Sequence, residues 1–272
     1  MWNSADDESM LAFRILNGSE GRSSDRRQTM KVLIVSDIHA NWTALRTILA
    51  AEQDYDNILC LGDLVDYGPQ PFECVGWAAA KFQEGGWFLQ GNHDWSVAYN
   101  ADARCSKPYA HLAEATRRFT RRVLGHKAMA FLSDIPSRLE LSLDGKRCVA
   151  CHGTPRDPLF GYFEYSNPQE VRLEVGSVGD PDCLFFGHTH VPCDIHSSLT
   201  HIINPGSVGQ PRDENPAAAY AVWENGEIHF RRSDYNTEEI ACEFVSTGLH
   251  QRDVMELMAV LRSGGLLPKM PY

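Results

Sequence analysis

No apolar run in this sequence approaches the roughly 20 residues that a membrane-spanning helix needs. The first residues carry Asp6, Asp7 and Glu8 and lack the apolar core of a secretion signal. Basic residues are in deficit: 25 Lys and Arg stand against 36 Asp and Glu, a formal net charge of −11. That average field repels polyanions, so bulk nucleic acid is not the expected ligand. There is no low-complexity segment and no internal repeat. The eight cysteines are scattered. Cys60 and Cys183 sit in strand-like apolar runs, as reduced core thiols do. Cys148 and Cys151 have CxxC spacing, but on the strand-like run Arg147 to Cys151 they face opposite ways, which argues against a redox or zinc pair. The expected setting is cytoplasmic, with free thiols and no membrane contact.

What is present is 272 residues of ordinary globular composition, ample for a buried core. Residues 1–29 read as a polar N-terminal extension, and Met30 would make a natural start. Residues 30–235 read as the main domain, and 236–272 as a helical C-terminal appendage on the same domain. The central stretch is Val32-Leu33-Ile34-Val35-Ser36-Asp37-Ile38-His39. Its apolar, mostly β-branched half predicts a buried strand. Asp37 and His39, two apart on an extended chain, would then point the same way at the strand's C-terminal end, where α/β sheets bind ligands.

Further strands are expected at Ile58–Leu61, Trp87–Gln90, Arg138–Leu143, Arg147–Cys151, Cys183–Phe186, His201–Ile203, Tyr220–Trp223 and Ile228–Arg232. Asn41 should cap a helix with Trp42, Leu45, Ile48 and Leu49 on one face. Phe72 to Phe82 looks helical. Pro108 to Leu132 also reads as helical, with Leu112, Ala115, Phe119 and Val123 buried. Arg117, Arg118, Arg121 and Arg122 then fall mainly on the other face, as a solvated charged surface. The order β-α-β-α-β, a helical insert, then mostly β predicts an α/β (α+β) fold with two sheets face to face and helices outside.

Five of the apolar strands end in polar motifs: Asp37-x-His39, Gly62-Asp63, Gly91-Asn92-His93-Asp94, His152-Gly153 and Gly187-His188-Thr189-His190. Taken singly, each reads as a cap or turn. Together they offer carboxylates, an amide and imidazoles enough for two divalent metals sharing an Asp. Imidazole donors favour Mn, Fe, Zn, Co or Ni over Mg or Ca, and manganese is the first expectation.

This ordered series resembles the calcineurin-like metallophosphoesterases across nearly all of residues 31–232. The stretches Ser36–Asn41, His152–Pro158 and Asn204–Arg212 resemble the short bacterial phosphodiesterase-like branch, often labelled by its likeness to diadenosine tetraphosphatases and Ser/Thr phosphatases. The resemblance implies a four-layer double β-sandwich flanked by helices, with a dinuclear centre at the sheets' ends. It implies Asp37, His39 and His190 on one metal, Asn92, His152 and His188 on the other, and Asp63 bridging. It makes His93 the non-ligand histidine that assists the leaving group, with Asp94 orienting it; a helix cap is the alternative role for Asp94. A hydroxide bridging the metals would attack phosphorus. Two departures count against a protein phosphatase: Tyr67 stands where those enzymes and diadenosine tetraphosphatases place a phosphate-gripping Arg, and Asp94 where the former usually have Glu. Asn92, Tyr67 and Arg156 are the candidate substrate contacts. For Arg156 the alternative is an ion pair with Asp157 or another surface carboxylate. The expected substrate is a small phosphodiester or nucleotide; a phosphomonoester and an inert metal-binding scaffold are the competing readings. The Asn204–Arg212 loop reads as a tight turn beneath the site. The histidines at 111, 126, 196, 201, 229 and 250 have no motif context.

Overall fold

The structure, a computed structural model, describes residues 30–265. The expected extension at 1–29 lies outside the described residues. Two five-stranded sheets form the centre. The first has the order β10-β9-β1-β2-β3, from Glu227–Ser233, Ala218–Glu224, Val32–Val35, Asn57–Cys60 and Trp87–Phe88. The second has the order β4-β5-β6-β8-β7, from Arg138–Leu143, Lys146–Cys151, Cys183–Phe185, Thr200–Asn204 and Cys193–Ser197. Strands β1, β2 and β3 run parallel, as do β5, β6 and β8.

Side-chain alternation builds the layers. Val32 and Ile34 of β1 join Cys148, Ala150, Phe185 and Ile203 between the sheets. Leu33 and Val35, one residue out of phase, pack outward on α1 (Trp42–Ala51) and α2 (Pro71–Gln83). On the second sheet, Val149, Cys151 and Leu184 pack outward on α6 (Pro168–Ser177). The result is helix, sheet, sheet, helix, as expected. Cys148 and Cys151 fall in different layers, and all eight cysteines are free thiols.

Three local expectations are corrected. The strand at 87–90 is only two residues long, because the Gln90 amide leaves the sheet for the Pro136 carbonyl at 2.8 Å. The helix at 108–132 is two helices, α4 (Ala110–Val123) and α5 (His126–Asp134), split where Leu124 and Gly125 turn extended. The buried face of α4 is Leu112, Ala113, Thr116, Phe119 and Thr120, while Val123 is exposed. The α4 arginines are not all solvated. Arg121 donates to the Val97 and Ala98 carbonyls and Arg117 to Ala101, at the C-terminus of α3 (Asn92–Tyr99). The Val97 and Ala98 carbonyls, in the last turn of α3, have no partner within the helix, so a guanidinium donor is well matched to them. Strand β7 and helix α6, neither foreseen, complete the second sheet and its cover.

At the C-terminal end, α7 (Thr237–Phe244) and α8 (Gln251–Ser263) share one apolar cluster with α4, Tyr67 and Tyr109. That cluster buttresses the loop after β2, and so positions the site.

Candidate metal centre

The C-terminal ends of β1, β2, β5 and β6 meet where the two sheets abut. The loop after each strand carries candidate ligands, and backbone geometry aims them. Asp37, His39, Asp63, His188 and His190 all have positive φ, between 47° and 66°. This differs from the extended geometry expected for Asp37 and His39: β1 stops at Val35, and a left-handed turn brings both side chains inward. Each such residue costs about 1–2 kcal/mol. Asp37 N–H to Gly62 O (3.0 Å), His39 N–H to Asp63 O (2.9 Å) and Ala40 N–H to Leu64 O (2.9 Å) hold the turns in place. Gly91 is required as glycine, since a Cβ there would overlap the Asp63 carboxylate.

Ligand atoms of Asp37, His39, Asp63 and His190 lie within 4.8 Å of one another, as do those of Asp63, His152 and His188. Asp63 belongs to both groups. Asn92 Oδ1 lies 2.9 Å from His152 Nε2, which brings Asn92 to the second group. All are under 5% exposed.

Three imidazoles are oriented by backbone carbonyls. Nδ1 of His39 meets Val65 O at 2.9 Å, Nδ1 of His152 meets Leu61 O at 2.8 Å, and Nδ1 of His190 meets Gln210 O at 2.6 Å. A carbonyl accepts, so each Nδ1 carries the proton and each Nε2 is left for a ligand. His39 Nε2 and His190 Nε2 then face each other at 3.1 Å, two lone pairs with no proton between them. His188 Nε2 is buried without a partner, and Asp63 Oδ2 is buried with only the His152 and His39 rings near it, at 3.2 and 3.7 Å. Facing acceptors and orphaned acceptors are what a bound cation would satisfy.

The electrostatics agree. Burial pushes His39 down to about 3 and holds His188 and His190 well below the usual histidine range, so all three are neutral donors at neutral pH. Burial is the largest influence on Asp63 and would raise it, but His152, His93 and His39 outweigh it and keep the carboxylate ionised. His152 is raised to about 9 against its burial, chiefly by Asp63. A divalent cation would meet the same acceptors and displace that proton.

Residues 30–226 match the family model of the calcineurin-like phosphoesterase superfamily domain. The chain belongs to the calcineurin-like phosphoesterase superfamily. It is similar to a metallophosphoesterase from Sphaerobacter thermophilus at 31% identity, TM-score 0.72, over 87% of this chain and 100% of that one. It is 26% identical to the phosphodiesterase YfcE of Escherichia coli over 198 residues, which is 72% of this chain and 88% of YfcE. A hypothetical protein from Pyrococcus horikoshii shares the fold at TM-score 0.74 and 20% identity, over 87% of this chain and 99% of that one. Membership makes the chain a hydrolase of phosphoric esters, with Asp and His clusters able to bind metal.

In this phosphoesterase three expected contacts are redrawn. Asp94 does not orient His93. Its carboxylate accepts from the Asp63, Leu64 and Gly91 amides at 2.8, 2.8 and 3.0 Å. Consecutive helix residues diverge by about 100°, so Asp94 at the start of α3 points away from the His93 ring. It pins the Asp63 loop instead; Gly91 rather than Asp94 is the N-cap of α3, and Asp94, three residues in, accepts the Gly91 amide. Asp66 takes the orienting place: its Oδ2 lies 3.0 Å from His93 Nδ1. The spacing Gly62-Asp63-Leu64-Val65-Asp66 carried that signal. Arg156 is drawn away toward α6, with Nε 2.9 Å from Glu174 and Nη2 2.8 Å from Glu170. Tyr67 is buried, its ring 4.8 Å from His39 and 4.7 Å from His93, so it packs the imidazoles rather than presenting a polar tip to solvent. Asn41 caps α1 through Ala44 N–H at 2.9 Å, as expected.

Because its guanidinium is engaged on α6, Arg156→Ala should leave kcat/KM within about threefold of wild type. A tenfold loss with unchanged metal content would return Arg156 to the site.

A third ligand group, Asp194, His196 and His201, lies on the β7–β8 hairpin away from these loops. His201 Nε2 lies 2.6 Å from Asp194 Oδ1, and the His196 and His201 rings stack at 4.0 Å. Metal counts on this protein therefore need a His201→Ala background.

Proposed function

We propose that this chain hydrolyses a small phosphodiester or nucleotide with two divalent transition metals bound, and that His93 protonates the leaving oxygen. The observation that carries this reading is Asp63, a fully buried carboxylate shared between the two ligand groups. Asp37, His39, Asp63 and His190 would hold one ion; Asp63, Asn92, His152 and His188 the other. The donors fit manganese first, with Fe, Zn, Ni or Co as alternatives. When bound, such a pair acidifies water and offsets phosphate charge.

The rest falls to the protein. Asp63 Oδ1 accepts from the His93 amide at 2.9 Å, which fixes His93 relative to the centre. The Asp66 contact at Nδ1 leaves Nε2 as the atom that exchanges a proton with substrate. Burial opposes protonation of His93, but Asp63 and Asp66 overcome it and raise the ring above the ordinary histidine value. That direction favours the protonated ring that a leaving-group acid needs. The family likeness to a named phosphodiesterase and the Tyr67 departure favour a diester over a protein phosphatase. Buried free thiols fit a reducing, cytoplasmic setting. Among the described residues no helix is long and apolar enough to cross a membrane.

The test is a substrate panel on chelated and then Mn(II)- or Ni(II)-loaded protein. It compares bis-p-nitrophenyl phosphate, p-nitrophenyl phosphate, cyclic nucleotides, dinucleoside polyphosphates and a phosphopeptide. Metal-dependent turnover led by a diester or nucleotide is expected; no turnover on any probe would leave the inert scaffold.

Asp66→Asn tests the acid assignment. Loss of the carboxylate removes a charge that stabilises the imidazolium, so the His93 pKa falls. Activity that needs the protonated ring is lost as pH rises through that pKa, so the alkaline limb of kcat should move to lower pH, with kcat down about tenfold. A lower kcat on an unmoved limb would make Asp66 merely structural.

A further inference from the structure

Arg212 stands beside the centre with its charge unanswered. Its amide donates to the His190 carbonyl at 3.2 Å, so its backbone is tied to a ligand loop. The strand-to-strand loop that carries it is strapped to the Asp37 loop through Val208 N–H to Ser36 O at 3.0 Å, Gly209 N–H to Asp37 O at 2.9 Å and Ser207 Oγ to Asp37 O at 2.8 Å. The guanidinium lies 4.0 Å over the Tyr109 ring, which itself packs against Tyr67. That stack places the cation on the side of Tyr67, His39 and His190. Its positive charge is felt at His190, His39, His93 and Asp37.

No carboxylate meets it among the described residues. Asp213, its neighbour in sequence, is paired with Arg232. Arg212 Nη2 donates to the neutral Gln210 Oε1 at 2.6 Å, and Nε is buried without a partner. An Arg that keeps a buried donor unfilled beside a phosphate site is poised for an anion.

The chemistry says which anion. Two metals, if held by these ligand groups, would offset the charge on two non-ester oxygens of the reacting phosphate. In a simple diester no further charged oxygen remains. A third non-ester oxygen, or a neighbouring phosphate, adds one. We propose that Arg212 binds this additional anionic oxygen. The substrate class is then a phosphate ester with charge beyond the single diester anion. This rests on the phosphoesterase reading above.

Calorimetry on Mn(II)-loaded wild type, Arg212→Gln and Arg212→Lys tests it without turnover. The probes are inorganic phosphate, with a third oxygen on phosphorus; ADP-ribose, with a neighbouring phosphate but no monoester; and dimethyl phosphate, with neither. Arg212→Gln should weaken phosphate, ADP-ribose or both by about 10- to 100-fold, and dimethyl phosphate by less than about threefold. Which probe suffers identifies the source of the extra oxygen. Arg212→Lys should recover part of the loss, because an ammonium keeps the charge but not the fork. Manganese content should be unchanged. Equal weakening of all three probes, or of none, overturns the proposal and leaves Arg212 as a stacking residue on Tyr109. Binding that follows this pattern without any hydrolysis would overturn the catalytic reading and spare this one.

Discussion

Asp63→Asn should remove turnover and metal together. The substitution keeps the shape of the side chain and its Oδ1 contact to the His93 amide, so the loop can still form. It removes the one carboxylate that both ligand groups share. It also sets a neutral amide 3.2 Å from His152 Nε2 and 3.7 Å from His39 Nε2, where a cation would be expected to need charge. Each proposed ion loses a ligand and the pair loses its link, so kcat should fall by at least about 10³-fold. The binding readout is the rise in Tm on adding Mn(II), since a ligand of the native state stabilises in proportion to its affinity. That rise should largely vanish. Counted in the His201→Ala background, bound metal should also fall. Two metals per chain with full turnover would refute the shared role of Asp63.

His93→Ala should do the opposite to metal. The contact from His93 to Asp63 runs through the backbone amide, which the substitution keeps. Metal content and the Mn(II)-dependent rise in Tm should therefore stay near wild type. Turnover should drop by about 10²- to 10⁴-fold, the range for loss of a positioned proton donor. The drop should depend on the leaving group. A p-nitrophenolate leaves without a proton, so its loss should be smallest; an alkoxide or sugar hydroxyl should show the largest. A loss of equal size across leaving groups would point to charge stabilisation instead of proton transfer. Loss of metal with activity would make His93 a ligand.

Asp66 and Arg212 extend the same logic to two residues absent from the expected site. Both act across the fold. Asp66 reaches from the loop after β2 to the ring on α3. Arg212 reaches from the loop before β9 to a ring at the start of α4.

The layers were legible in the sequence because they rest on local alternation. Val32 and Ile34 face the other sheet and Leu33 and Val35 face helices, as the period of a strand requires. The candidate ligands were legible too, because each follows directly on a buried apolar strand, and such strands bring their ends to one edge of the sandwich. Direction was not legible. Asp37 and His39 converge through left-handed backbone rather than through extended alternation; Asp and His enter that region more often than most residues, but still too seldom for the sequence to fix it. Partnership was not legible either. His93 neighbours Asp94 in the chain but bonds Asp66, because helix geometry separates adjacent side chains while tertiary packing joins distant ones. Arg156 was near His152 in sequence and is claimed by Glu170 and Glu174 on α6, a helix the periodicity did not reveal. Residue type and strand order thus determined the chemistry this protein can hold. Long-range contacts between loops decided which side chain faces which, since hydrogen-bond geometry is settled over a few ångströms and sequence separation carries no such distance.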